Sequence, residues 1–238
     1  MLTFRVLMVT ALLGASLPSA RAATIAVVNP GFESVALAEE TSSAFANSGT
    51  TAISGWSIFD LGGGGGGQTL NPGPASAAFP GGAVPEGNNT ALAQSAIVQQ
   101  ALGTVLTTGT YSLSIRFGNP ADRDDMATPS SFQLFSVPTG NVIFARVGIA
   151  FAGIADGTFA DFSASTEIMA GNVNLGDQIG IKIVTGSPTV PGGTYYAFDD
   201  VRLTLDEPSR VVPVPAAWAM FCGGVGLLGL RLRKRAAG

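Results

Sequence analysis

Between residues 110 and 117 the chain alternates strictly between apolar and polar side chains. Tyr111, Leu113, Ile115 and Phe117 fall on one side, and Ser112, Ser114 and Arg116 on the other. Successive strand residues point to opposite faces of a sheet, so this pattern describes a strand with one buried face. The same period returns over 178–184, with Ile179, Ile181 and Ile183 in phase. Shorter or looser versions cover 24–28, 53–59, 91–100, 132–137, 141–147, 159–168 and 195–205. Gly, Pro and Asn separate these runs, and Pro138-Thr139-Gly140 sits between two of them as a hairpin turn. No run carries a convincing helical stripe; residues 37–46 offer the best chance of a short helix. Nine short strands with frequent turns predict an all-β chain, an antiparallel β-sandwich.

Two stretches interrupt the pattern. Residues 61–89 open with six consecutive glycines, 62–67, and continue rich in Gly, Pro and Ala. A glycine loop that holds phosphate needs a following helix and usually a lysine, and neither follows here. The segment therefore reads as a long flexible loop. Residues 121–131 hold Asp122, Arg123, Asp124 and Asp125. They read as a solvated loop whose carboxylates could recruit a cation, without the spacing of an EF-hand.

The two ends differ from the middle. Arg5, an apolar core over 6–17 and the small-residue triplet Ala20-Arg21-Ala22 describe a signal peptide, 1–22, cleaved after Ala22. At the other end, residues 211–230 carry no charge, and Arg231, Arg233, Lys234 and Arg235 close the chain. Pro213 and Pro215 place the start of a helix near Pro215. A helix over 216–230 is roughly 22 Å long at about 1.5 Å per residue. That is short against a hydrocarbon core of about 30 Å, so it suits a temporary membrane stop with the basic cluster cytoplasmic.

Val212-Pro213-Val214-Pro215-Ala216, the apolar stretch and the basic cluster resemble the PEP-CTERM class of sorting signals, in its VPLPA form. The resemblance covers about residues 211–235 of a sorting tail that spans 211–238. It implies a Gram-negative exported protein with an exosortase-like sorting enzyme as partner. Such a protein is held transiently in the inner membrane, cut, and placed at the cell surface or outside, often with biofilm exopolysaccharide.

Between the ends, residues 23–210 form one domain with all sixteen acidic residues and six basic ones, a net charge of −10. Nothing there offers the basic footprint that nucleic acid requires. The single cysteine, Cys222, lies in the C-terminal apolar run, so the domain has no disulfide and no thiol nucleophile. Histidine is absent throughout, which excludes Ser-His-Asp catalysis and HExxH zinc sites. Carboxylate chemistry and calcium remain open.

Asn29-Pro30-Gly31-Phe32-Glu33 and Phe198-Asp199-Asp200-Val201-Arg202-Leu203 resemble the opening and closing elements of galactose-binding-like jelly rolls. That family includes several carbohydrate-binding modules. Gln99-Gln100 and Gly109-Thr110-Tyr111-Ser112-Leu113-Ser114-Ile115 resemble its middle. The resemblance implies a jelly-roll sandwich whose first and last strands meet. It also implies a structural calcium held by Glu33, Asp199 and Asp200, with at most one aspartate as side-chain ligand because neighbours in a strand diverge. A sugar site would need exposed aromatics, for which Trp56, Tyr195 and Tyr196 are the candidates, Tyr111 falling on an apolar face.

These readings together lead to an expectation of a non-enzymatic, exosortase-sorted surface or matrix protein that binds polysaccharide. Two alternatives stand beside it: a structural matrix protein without a ligand, and a secreted glycoside hydrolase using two carboxylates. The hydrolase lacks a sequence-local acid pair in an apolar setting, since Asp124-Asp125 lies in a polar loop.

Overall fold

A computed structural model describes residues 22–46, 53–62, 64–122, 129–150, 153–186 and 195–207. The readings at 1–21 and 208–238, and the Asp124-Asp125 pair, lie outside these residues. Alternation becomes strands as expected: β1 (Ala22–Ile25), β2 (Thr41–Ser42), β3 (Ser57–Asp60), β4 (Gly66–Asn71), β5 (Thr90–Gln94), β6 (Ala96–Val105), β7 (Gly109–Asn119), β8 (Ser130–Ser136), β9 (Val142–Ile149), β10 (Thr158–Ile168), β11 (Gln178–Thr185) and β12 (Tyr196–Asp206). They form two antiparallel sheets. One runs β10-β7-β12-β5-β4-β2, with β1 also paired to β12, and the other runs β3-β6-β11-β8-β9. The predicted hairpin joins β8 to β9, with Gly140 at φ 72° and its N–H donating to the Ser136 carbonyl. No described helix is long and apolar enough to cross a membrane.

The core lies between the sheets. Tyr111, Leu113, Ile115 and Phe117 of β7 meet Phe198, Leu203 and Leu205 of β12 on the inner face. Ile179, Ile181 and Ile183 of β11 oppose them from the second sheet, with Phe132 and Leu134 of β8. Phe32 packs edge-on against Phe198 at 5.4 Å and tilts against Trp56 at 5.8 Å. Burying a side chain of this size contributes about 1.5–3 kcal/mol relative to exposure.

Three readings need correction. Residues 91–100, read as one strand, are two strands in different sheets. β5 pairs with β4 and β12, whereas β6 pairs with β3 and β11. The chain changes sheet at Ser95, whose φ of 43° is a left-handed conformation that ends the extended run. Residues 61–89, read as a flexible loop, contain β4. Its glycines are buried because neighbouring chain comes too close for a side chain: a Cβ on Gly65 would lie 2.0 Å from the Ser95 carbonyl oxygen, and one on Gly66 2.3 Å from that of Ala46. The glycine run is also an anion cradle already filled, since Gly62, Gly64 and Gly65 N–H groups donate to the Asp60 carboxylate at 2.7, 3.2 and 2.8 Å. The short helix considered for 37–46 is instead a set of turns leading into β2.

Candidate functional site

The site forms where β12 changes partner. Its first residues pair with β5 and its last with β1, and between Asp199 and Arg202 the ladder against β7 shifts register. Such a bulge breaks the alternation of a strand. Asp200 sits at φ 53° and Phe32, on the adjoining turn, at φ 61°. The Val201 N–H donates to the Pro30 carbonyl at 3.1 Å, so the opening and closing motifs do meet. Two non-glycine residues held in the left-handed region at one junction mark a place that the surrounding structure over-determines.

Both aspartates are buried, and their carboxyl groups meet different partners. Asp200 lies 2.6 Å from Arg202 Nε and 3.6 Å from Arg116 Nε, and Arg116 also pairs with Asp161 at 2.7 Å. Asp200 Oδ1 has a charge partner there without a directed hydrogen bond. Asp199 is fully buried, and Arg116 is its partner across the ladder on β7. Its Oδ1 accepts the Asp200 N–H at 2.7 Å and its Oδ2 the Glu86 N–H at 3.1 Å. Burial pushes the Asp199 carboxyl up to about 8. The two backbone N–H groups pull the other way, and the Glu86 and Asp200 charges add to the rise. Desolvation of a carboxylate outweighs two neutral donors, so Asp199 holds its proton at neutral pH.

Glu33 does not join Asp199 and Asp200 in a metal shell. Its carboxylate accepts the Asn88 and Asn89 N–H groups at 2.9 and 2.6 Å. Among the described residues no group of three acidic side chains is arranged to hold a metal ion. The calcium set expected at Glu33, Asp199 and Asp200 is thus dispersed: Asp200 is committed to arginines and Glu33 to backbone. No step below is routed through calcium.

The two carboxylates Glu33 and Asp199 instead hold a strap. Residues 72–89 cross the outer face of the seven-stranded sheet. They are tied by Glu40, which accepts the Ala75 N–H at 3.0 Å, then by Asp199 at Glu86 and by Glu33 at Asn88 and Asn89. Between these ties Phe79 is fully buried, stacked on Phe159 at 4.8 Å and packed with Leu92 and Ala197. Beside the strap opens a cleft of about 290 Å³. Its wall combines Leu70, Leu92 and the alanines 75, 77 and 78 with Glu40, Gln68, Asp122 and Tyr195. Tyr195, just before β12, and Asp199, within it, thus lie at two ends of one short stretch, the cleft at one end and the buried acid at the other.

The sugar platform is not there. Trp56 and Tyr196 are core residues, 1% and 0% exposed, and Trp56 donates its indole N–H to the Asn29 carbonyl. Tyr195 is half-buried and meets Phe45 edge-on at 5.9 Å. Sequence reading missed Glu86, Phe79 and the strap as a whole. Its one signal was the lone Phe79 inside a segment otherwise poor in large side chains.

The model of the HpiC1-like family, HpiC1 cyclase, matches residues 23–204, and the chain belongs to that family. Among solved structures, the Stig cyclase Fisc from Fischerella sp. TAU, in complex with (3Z)-3-(1-methyl-2-pyrrolidinylidene)-3H-indole, shares the fold. Its TM-score is 0.65 at 24% identity, over 80% of this chain and 100% of that one. A cyclase from the same organism in complex with 4-(1H-Indol-3-yl)butan-2-one gives 0.64 at 21%, over 78% and 99%. An apo cyclase from Fischerella sp. gives 0.64 at 22%, over 80% and 100%. No curated protein sequence matches the chain. Family membership overturns the expectation of a non-enzymatic, polysaccharide-binding matrix protein, and with it both the purely structural alternative and the glycoside hydrolase. The short motifs at 29–33 and 198–203 belong to a sandwich that cyclases also use, and motif and fold do not carry function.

Proposed function

We propose that this chain is a cyclase that closes a ring in an unsaturated substrate bearing an indole or similar flat aromatic group, with Asp199 as the proton donor. The observation that carries the reading is the buried Asp199 carboxyl, protonated at neutral pH, in a chain of the HpiC1-like family. The indole compounds held by the Fischerella cyclases supply the substrate class.

The chemistry follows from the environment. Asp199 transfers its proton to a basic or unsaturated atom of the substrate, leaving positive charge on the organic framework. An internal π-bond attacks that cation and the ring closes. Loss of a proton from the product cation to the Asp199 carboxylate restores both catalyst and charge balance. The Asp200 N–H already points at Asp199 Oδ1, so the anion formed on proton transfer keeps one donor without reorganisation. A dry surround prolongs the life of the cation by keeping water from trapping it.

The test is turnover of a panel of unsaturated indole compounds by the mature chain, followed by mass-resolved product analysis. Asp199→Asn should lower kcat by at least about 100-fold, the lower end for loss of a general acid. Undiminished cyclisation by that variant would remove Asp199 from the mechanism.

The ends of the chain support a proposal about place. A signal peptide over 1–22 and the PEP-CTERM-like tail over 211–238 describe an exported enzyme handled by an exosortase-like partner at the inner membrane. Mass spectrometry of the secreted form should find the chain beginning at Ala23 and ending near Pro215. Recovery of an intact tail on the exported form would sink the sorting proposal.

A further inference from the structure

We propose that residues 79–88 are a gate between the cleft and Asp199, and that Glu33 is the positioning residue that holds the gate shut. The inference rests on the reading of Asp199 as the acid. It addresses a difficulty that the closed structure poses: a fully buried carboxyl cannot reach a substrate.

Three observations bear on it. First, the stretch from Tyr195 to Asp199, between cleft and acid, lies under the strap. Tyr195 lines the cleft, Ala197 lies under Phe79, and Asp199 lies under Glu86. Lifting the strap would make one continuous trough from Tyr195 to Asp199. Second, the span above Asp199 is bracketed by Gly81 and Gly82 at φ 89° and 70°, and by Gly87 at φ 64°. Those positions tolerate large backbone rotations, as hinges do. Third, the distal clasp is one carboxylate oxygen. Glu33 Oε1 accepts both the Asn88 and Asn89 N–H groups, and a Cβ on Gly87 would fall 2.4 Å from the Glu33 Cδ. Glu33 therefore grips the end of the gate by charge and by close contact. The hydrogen bond from Glu86 to Asp199 breaks when the gate lifts, so opening frees one oxygen of the acid for a substrate.

Hydrogen exchange on the full mature chain reads this directly. In a strap that opens locally, the amides of Glu86, Asn88 and Asn89 should exchange at least tenfold faster than those of Leu113 and Ile115 in β7, with little dependence on denaturant. Glu33→Gln should speed the strap amides about tenfold again and leave β7 unchanged. It should also raise labelling of Asp199 by a water-soluble carbodiimide with glycine ethyl ester, read by peptide mass mapping. Pro85→Gly loosens the span without touching either clasp and should move the same amides in the same direction, which covers a Glu33 variant that does not fold. Exchange of the strap amides at the β7 rate, rising in step with global unfolding in all three proteins, would overturn the gate. That outcome would leave the acid role of Asp199 standing, because loss of turnover in Asp199→Asn is a separate measurement. Conversely, a gate that opens on an Asp199→Asn enzyme with full activity would separate the gate from the chemistry.

Discussion

Asp199 carries two opposed demands. Both of its oxygens accept backbone N–H groups, an arrangement that suits a carboxylate, yet it is fully buried. Burial prevails and the carboxyl titrates near 8 in the folded chain, against 3.8 ordinarily. The consequence for stability has a definite sign. Between about pH 4 and pH 8 the folded chain retains a proton that the unfolded chain has released, so stability falls as pH rises through that window. The slope is at most about 1.4 kcal/mol per pH unit for this one group. Thermal unfolding between pH 5 and pH 9 should show the decline in the native chain, and Asp199→Asn should flatten it. A parallel pH dependence in both proteins would assign the decline to other groups. The same titration sets activity: kcat/KM should fall above pH 8, where the acid has lost its proton.

At the scale of elements, the glycine run and the sheet change at Ser95 are one device. Gly65 lies so close to the Ser95 carbonyl that any side chain would push β4 away from the junction of β5 and β6. Gly65→Ala should therefore cost about 1–3 kcal/mol or more, as overpacking does. Gly64→Ala meets open space, and its φ of 85° makes its cost only the left-handed penalty of about 1–2 kcal/mol. Urea unfolding of the two variants separates close approach from backbone strain, and equal losses would contradict the distinction. The strap belongs to the same scale. Phe79→Ala removes the one large apolar contact that seats it between its carboxylate ties. It should shift strap amides toward fast exchange while the midpoint of global unfolding moves less than for a deletion in the inter-sheet core, such as Phe198→Ala.

For the whole molecule, the two sheets close around one core, and β1 against β12 brings the beginning and end of the domain together. Residues 21–208 form one compact unit. A fragment spanning 22–207 should unfold in a single cooperative transition with a midpoint within a few degrees of the mature chain. A broad or two-step transition would show that the domain needs more than this segment. The acidic excess of residues 23–210 lies over a β-sandwich without disulfides, so packing alone must hold it.

Strand content, the absence of histidine and the character of both ends are all one-dimensional properties. Alternation at period two marks a half-buried strand wherever the strand goes, so β7 and β11 were legible residue by residue, and β10 and β12 only as looser runs. The Asn29–Glu33 and Asp199–Asp200 motifs were legible as neighbours too, because first and last strands commonly pair. What those carboxylates do was not. A bulge between Asp199 and Arg202 shifted the ladder, arginines took Asp200, and a strap drawn from a glycine- and proline-rich stretch covered Asp199. Local composition records flexibility of that stretch, whereas its order comes from contacts made 35 to 113 residues away in sequence. The chain by itself determined that this is an antiparallel β-sandwich without histidine. Only the tertiary structure decided which carboxyl keeps its proton, since that depends on how completely distant segments exclude water around it.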